Sequence, residues 1–511
     1  RVRSSAASDV YKRQFNMKRY IKNFMMAMMV GATVFGSSCT DSFEEVNTDP
    51  DSPTDVPTTN LLAYSLYYTS YRLYDRWFAM DEPMTFCGYA SKMTYIDESR
   101  YNFRTGVQDT NWEYLYRILN NLKDIEKRAT FNETPNMLNV SKVMQVHLMQ
   151  VATDRWRDVP YTDAAKMTDG VLQPKYDKQE DIYPGLLATL KEAADGFADG
   201  GSDDLGEGDL LFGGDIEKWQ RYCNSMRLRL AMRISEVSPA LAKETVEEVM
   251  GNLTKYPIME SNDDNAFFWW IGTDPNYYEP MADGYRTRKT EYCAADVIVD
   301  HMNTREDPRR SSYFQPTKES VEAGEPKYVG YTIGAKANAV ASKYSIWGAR
   351  FFTDLAGFSP YMRVAEPWFC VAEASMLGWN TGISAEDAYN KAVTYSMEEN
   401  SVSAEDIADY LANAGKFTND KKQIYYEEWV AMFKQGMEGW SLYRRTGVPD
   451  NLYPAPGRPA NYSNHNVPPF RSPYPDKERN LNNANCAPFD AEVVDNLWGK
   501  QMWWDTRTGV H

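Results

Sequence analysis

The stretch MLNVSKVMQVHLMQVATDRW, Met137–Trp156, decides the fold class. Val140, Val143, Met144, His147, Leu148 and Val151 recur at i, i+3, i+4, i+7, i+8 and i+11, one face of an amphipathic helix. The pattern repeats outward along the chain. Ile182–Phe197 carries Leu186, Leu187, Leu190 and Ala194 on one stripe, and Ile216–Val237 carries Trp219, Tyr222, Met226 and Leu230. Trp368–Trp379 and Ala385–Glu399 flank the short connector Asn380–Ser384, which reads as a helix–turn–helix pair. Tyr426, Trp429, Val430, Phe433, Met437 and Trp440 form one further stripe at helical spacing. An all-α body of stacked helix pairs follows, each burying its apolar face on its neighbour.

Two regions depart from helical period, near 252–360 and 443–488. The first holds SNDDNAFFWW, DPNYY and DPRR; the second is rich in proline and asparagine. Long insertions in a compact body are usually functional or disordered, and the Tyr, Trp and Phe content here disfavours disorder.

Ahead of the body, Met17 opens a basic stretch (Lys18, Arg19, Lys22), followed by an apolar run Phe24–Phe35 and the small residues Gly36, Ser37 and Ser38 before Cys39. This is the order of a secretory signal, and the run is too short to span a bilayer core of about 30 Å. Residues 1–16 are read as extraneous upstream sequence, 17–38 as signal peptide, 39–59 as an acidic tether, and 60–511 as a single body. The tether is Asp, Glu, Pro, Thr and Asn with little that is apolar.

The chain has a net charge of −17. Without residues 1–38, 48 basic residues face 71 acidic ones, a net −23. Such acidity argues against nucleic acid and against anionic lipid surfaces. Five cysteines follow Cys39 (Cys87, Cys223, Cys293, Cys370, Cys486), no CxxC occurs, and there are four His in all, so no metal site is expected and free thiols are. Aromatic residues make up 14% of the chain; Tyr and Trp combine an apolar face with a polar edge, which suits sugar rings or peptides. No phosphate loop, nucleotide fingerprint or nucleophile elbow is present, and no cofactor or catalytic residue is expected. Asp154 and Asp158 flank Trp156 and read as turn-stabilising rather than as a glycosidase pair.

Several segments, taken in order, resemble the SusD/RagB family of nutrient-binding outer-membrane lipoproteins of Bacteroidetes. They are VNTDPDSPTDVPTTNLL, TDRWRDVPYTDA (Thr153–Ala164, with Arg157 where glycine is usual), LLFGGDIEKWQRYCNSMRLRLAMRIS (Leu210–Ser235), EDPRR (Glu306–Arg310), VAEASMLGW (Val371–Trp379), MEGWSLYRRTGVP (Met437–Pro449) and RSPYPDKERNLNNAN (Arg471–Asn485). Cys39 resembles the acylated lipobox cysteine. The resemblance implies a scaffold of TPR-like helix pairs under loop insertions and a lipid anchor at Cys39 in the outer membrane, facing the exterior. It also implies non-enzymatic capture of a nutrient, an oligosaccharide first, for delivery to a SusC-like TonB-dependent β-barrel. An all-helical glycoside hydrolase and a structural helical-repeat adaptor are the alternatives. Ligand-binding rings are expected on loops, because helix stripes are taken up by packing. The expected set is Tyr89, Tyr95, Trp270, Tyr277, Tyr278, Tyr285 and Trp347, with Asp274, Asn276 and Arg286 as hydrogen-bonding neighbours.

Overall fold

A computed structural model describes residues 56–493, 495 and 497–511. Cys39 and the expected signal peptide lie outside the described residues. Pro57–His511 is one compact unit. Its scaffold is built from helices α1 (Thr58–Leu73), α2 (Thr105–Phe131), α3 (Pro135–Trp156), α4 (Gln179–Asp199), α5 (Ile216–Arg233) and α6 (Pro239–Gly251). Each packs on the next in chain order. Helix α1 starts inside the stretch expected to be tether.

The sequence explains where these helices begin. Pro135 occupies the first turn of α3, where its missing N–H costs nothing, and the Asp203 carboxylate accepts from the amides of Asn136 and Met137, both at 2.9 Å. The Asp215 side chain caps α5 by accepting from Lys218 N at 3.1 Å. The acidic connector around Asp203 and Asp209 is thus a turn builder: Asp209 accepts from Leu211, Phe212 and Gly214 amides and from Trp219 Nε1.

After short α7 (Pro280–Thr287) come α8 (Ala365–Met376), α9 (Ala385–Glu399), α10 (Lys421–Ala431) and α11 (Gly436–Thr446). Helix α8 packs on α9, α10 and α5, which closes the second half onto the first. The stripe from Tyr426 to Trp440, expected to be one helix, is two. Lys434 sits at φ +78°, and its ammonium turns inward to meet Glu279 at 3.1 Å with both side chains buried. All of Trp429, Phe433, Met437 and Trp440 are buried, so the core assignment holds although the helix breaks.

Buried polar side chains tie the helices together. Glu438 on α11 accepts from Gln150 on α3 at 2.7 Å and from Arg233 on α5 at 2.5 Å, while Arg233 also pairs with Asp154. Burial pushes the Glu438 carboxyl up, but Arg229 and Arg233 outweigh it and hold the group below its ordinary range. Removing one partner of such a network leaves a buried charge uncompensated. The five described cysteines are free and buried. Arg157, in the family motif's glycine position, adopts φ +70°, so the loop keeps the backbone that favours glycine.

The insertions carry two small antiparallel sheets. Strand β1 (Ala90–Lys92) pairs with β3 (Tyr292–Ala294), with Lys92 opposite Tyr292, and β2 (Ala266–Trp269) pairs with β4 (Phe358–Met362). These sheets bring the loops near 84–104, 270–292 and 315–347 into the folded body. Among the described residues no helix is long and apolar enough to cross a membrane.

Candidate functional site

Three of the seven expected rings belong to the core. Tyr89 is fully buried: its hydroxyl donates to Trp429 O at 2.5 Å and its ring stacks on Trp429, with centroids 5.5 Å apart. Gly439 on α11 makes that approach possible, since a Cβ there would lie 2.7 Å from the Tyr89 ring. Trp347 donates its indole N–H to Tyr89 O at 3.2 Å and packs against Phe352 and Phe433. Trp270 is 4% exposed and donates to Ser359 Oγ at 3.0 Å. Tyr89, Trp270 and Trp347 anchor loops to helices and present no face to a ligand. Their flanking sequence is loop-like, but the loops fold back on the scaffold, and that is a tertiary outcome.

The other expected residues fall into two neighbouring groups. Tyr277 is exposed and meets Tyr67 of α1 edge-on at 5.8 Å; the Tyr67 hydroxyl donates to Asn276 O at 2.6 Å. Asp274 accepts from Asn276 N at 2.8 Å and so shapes the turn, while the Asn276 side-chain amide faces solvent. Tyr278 is half-buried, with the Arg286 guanidinium 5.6 Å from its ring; Arg286 also pairs with Asp283 at 2.7 Å. Tyr285 is half-buried against Phe352 at 4.9 Å, which makes it a support rather than a platform.

Tyr95 forms the second group. It is 66% exposed and held at φ +52°, a backbone region costly for a tyrosine, immediately after β1. Thr94 Oγ1 donates to Thr290 O at 3.1 Å and ties the loop down. The Arg288 guanidinium lies 5.9 Å from the Tyr95 ring. Next to this loop runs a groove of about 630 Å³, lined by Met93, Lys289, Gln315, Lys318 and Tyr344 among others. That volume suits a small ligand. In strand β1, next to Met93, Lys92 is buried between Asp81 at 3.1 Å, Glu98 at 2.8 Å and Glu291 at 3.2 Å. Burial alone would lower the Lys92 ammonium, yet these three acids hold it above its ordinary value. Burial conversely raises Asp81 to about 6.

Sequence reasoning missed Trp269, which is 59% exposed beside Phe358, and the half-buried Tyr67 and Tyr71 on α1. Strand alternation says that only one ring of the pair Trp269–Trp270 points outward, but not which one. Tyr67 and Tyr71 lie at i and i+4 and read as core.

A larger cleft of about 810 Å³ lies between α2, α3 and the loop 161–169. Its one lining aromatic is the half-buried Tyr161, whose ring lies close to Gly185. The Asp154–Asp158 pair is structural. Asp154 is taken by Arg233, Tyr183 and Trp504, and Asp158 caps Gln179 N at 2.8 Å. Among the described residues no three His, Cys, Asp or Glu side chains gather as a metal site would require.

No curated protein matches the chain. A chitin-binding protein of solved structure is 27% identical, with a TM-score of 0.77 over 88% of this chain and 100% of its own. A SusD-like protein from Bacteroides thetaiotaomicron is 24% identical, with a TM-score of 0.75 over 89% of this chain and 100% of its own. A chitin-binding SusD homolog from Flavobacterium johnsoniae is 22% identical, with a TM-score of 0.75 over 88% and 99%. The all-helical scaffold with its loop insertions is the fold these structures share. The family model described as "SusD-like, starch-binding associating with outer membrane" matches residues 50–475, and the chain belongs to that family.

Proposed function

We propose that this protein captures an oligosaccharide at the outer surface of the outer membrane, without chemistry, and hands it to a SusC-like TonB-dependent barrel. The observation that carries the reading is Tyr95: a ring two-thirds exposed, on a backbone held in a costly conformation, in the loop whose Met93 lines a groove of ligand size. An aromatic face covers the apolar side of a sugar ring, and the polar neighbours orient it. Tyr277, Tyr278, Asn276, Asp274 and Arg286 form a second contact region on the same group of loops, with Tyr285 behind it. Similarity to a chitin-binding protein supports a saccharide over a peptide. Lipidation of Cys39 would tether the body to the membrane through the acidic stretch that follows.

The hydrolase alternative has a specific observation against it: Asp154 and Asp158, the one acid pair flagged in the sequence, are buried and committed to structural partners. The test is calorimetric titration with an oligosaccharide panel, together with a reducing-end assay on the same mixtures. Binding with intact ligand supports capture, and release of reducing ends sinks it. Copurification of a β-barrel with the lipidated protein tests the partner; recovery of the protein free of any barrel from native membranes counts against delivery.

A further inference from the structure

Three of the four stretches around the groove beside the Tyr95 loop differ in charge from the rest of the chain; the fourth, residues 315–322, carries Lys318, Glu319 and Glu322. The whole chain is strongly acidic, at −17. Yet residues 83–96 contain Lys92 and no Asp or Glu. Residues 284–290 contain Arg286, Arg288 and Lys289 and no acid, and residues 326–353 contain Lys327, Lys336, Lys343 and Arg350 and no acid. The fold brings these three stretches together. Strand β1 pairs with β3, Ala339 N donates to Met93 O at 2.9 Å, and Met93, Lys289 and Tyr344 line one groove.

Two acids beside the strands under the groove, Glu291 and Glu98, point inward. Glu291 is buried and accepts from Lys92 at 3.2 Å, Arg76 at 3.2 Å and Arg288 at 3.4 Å. Glu98 is buried and takes Lys92 and the exposed Arg104 at 3.0 Å. Glu322, on the groove wall, is matched by Lys318 at 3.7 Å. Lys289 in the wall and Lys343 beside Tyr344 are exposed and form no ion pair among the described residues. The mouth therefore keeps uncompensated positive charge over a neutralised interior. Ammonium groups donate hydrogen bonds and accept none, so the ligand group they suit is an acceptor-only anion.

We propose that the Tyr95 groove selects an anionic saccharide, one bearing carboxylate or sulfate groups, with Lys289 and Lys343 as the residues that contact the anion. The proposal rests on the capture reading above and names the ligand class for the same site. The ring of Tyr95 packs on the sugar, and the two lysines discriminate by charge. Attraction of this kind at a partly exposed mouth is screened by salt.

The experiment is calorimetric titration of the folded protein with three hexasaccharides: oligogalacturonate, a chondroitin-sulfate fragment and neutral chitohexaose. Each is measured at about 50 mM and about 500 mM NaCl, which spans Debye lengths from longer to shorter than the groove mouth. Charged hydrogen bonds predict that one anionic probe binds about tenfold or more tighter than chitohexaose. That preference should shrink in high salt and in Lys289→Gln/Lys343→Gln, while chitohexaose binding stays as it was. Tight binding of oligogalacturonate assigns carboxylate recognition, whereas a response to the chondroitin-sulfate fragment alone, which carries both groups, assigns a need for sulfate. Chitohexaose binding as tightly as both anionic probes overturns the proposal, and so does a double variant that binds all three like wild type. Tyr95→Ala separates the two levels. If it abolishes chitohexaose binding while the lysine variant changes nothing, the capture site stands and anion selection falls. If wild type binds no probe, both fall.

Discussion

Replacing Trp440 with alanine tests the scaffold from a fully buried ring. Trp440 is fully buried on α11, donates its indole N–H to Pro469 O at 3.1 Å and meets Phe86 at 5.2 Å. The Arg444 guanidinium lies 3.7 Å from its ring and is itself buried, and burial pushes that group down to about 9. Truncation of a buried Trp costs about 3–5 kcal/mol. Loss of a desolvated cation–π contact adds up to about 2 kcal/mol, less than fully additively. The expected loss is about 4–6 kcal/mol, a large part of a typical folding free energy of about 5–15 kcal/mol. Unfolding entropy of about 2.1 cal/mol/K per residue, over about 450 residues, gives close to 1 kcal/mol per degree. Trp440→Ala should therefore lower the calorimetric midpoint by about 4–6 °C. The exposed Trp269, changed to alanine, should move it by about 1 °C or less. A Trp440→Ala midpoint within 1 °C of wild type, by that same scaling, would refute the packing argument.

Three further outcomes are expected. Glu428 is buried, and burial raises its carboxyl to about 8. The folded state therefore holds a proton the unfolded chain has released, and stability falls from about pH 4.5 to about 8 by up to ~1.4 kcal/mol per unit. Glu428→Gln should flatten that decline in denaturant titrations and be the more stable protein at about pH 8.5; an unchanged pH profile would count against it. Glu279→Gln strands the buried Lys434 ammonium, which burial already pushes down, and should cost about 3–5 kcal/mol in urea unfolding. Glu279→Gln/Lys434→Met should recover most of that loss, and no recovery would mean the pair is not what the single variant breaks. Labelled palmitate should enter wild type and not Cys39→Ala when expressed with its leader; equal labelling would remove the lipid anchor from the account.

Helix pairs were legible because their signals are local. Ala385–Glu399 was read to the residue, since Ser384 is an N-cap whose side chain accepts from Asp387 N at 3.0 Å and acids fill the first turn. The break between α10 and α11 was not legible: Phe433 and Met437 keep helical spacing across it, and the left-handed Lys434 is compensated by Glu279, distant in sequence. The exposure of the candidate rings was half legible. Tyr95 and Tyr277 are exposed on loops as expected. Tyr89 and Trp347 have the same kind of flanking sequence but are buried, Tyr89 against Trp429 of α10 and Trp347 against Phe433 between α10 and α11. The choice between Trp269 and Trp270 depends on which face of the β2–β4 sheet packs on the body, and four consecutive aromatic residues leave that parity unreadable.

The most direct test of capture at the loop surface is calorimetric titration of wild type and Tyr95→Ala with the oligosaccharide that binds best in a panel, with ligand recovered afterwards for mass analysis. The account predicts saturable binding to wild type at one ligand per chain, recovery of the ligand intact, and a loss of affinity of about tenfold or more in a Tyr95→Ala protein that melts like wild type. Equal affinity in the two proteins, or a recovered ligand that has been cleaved, would contradict it.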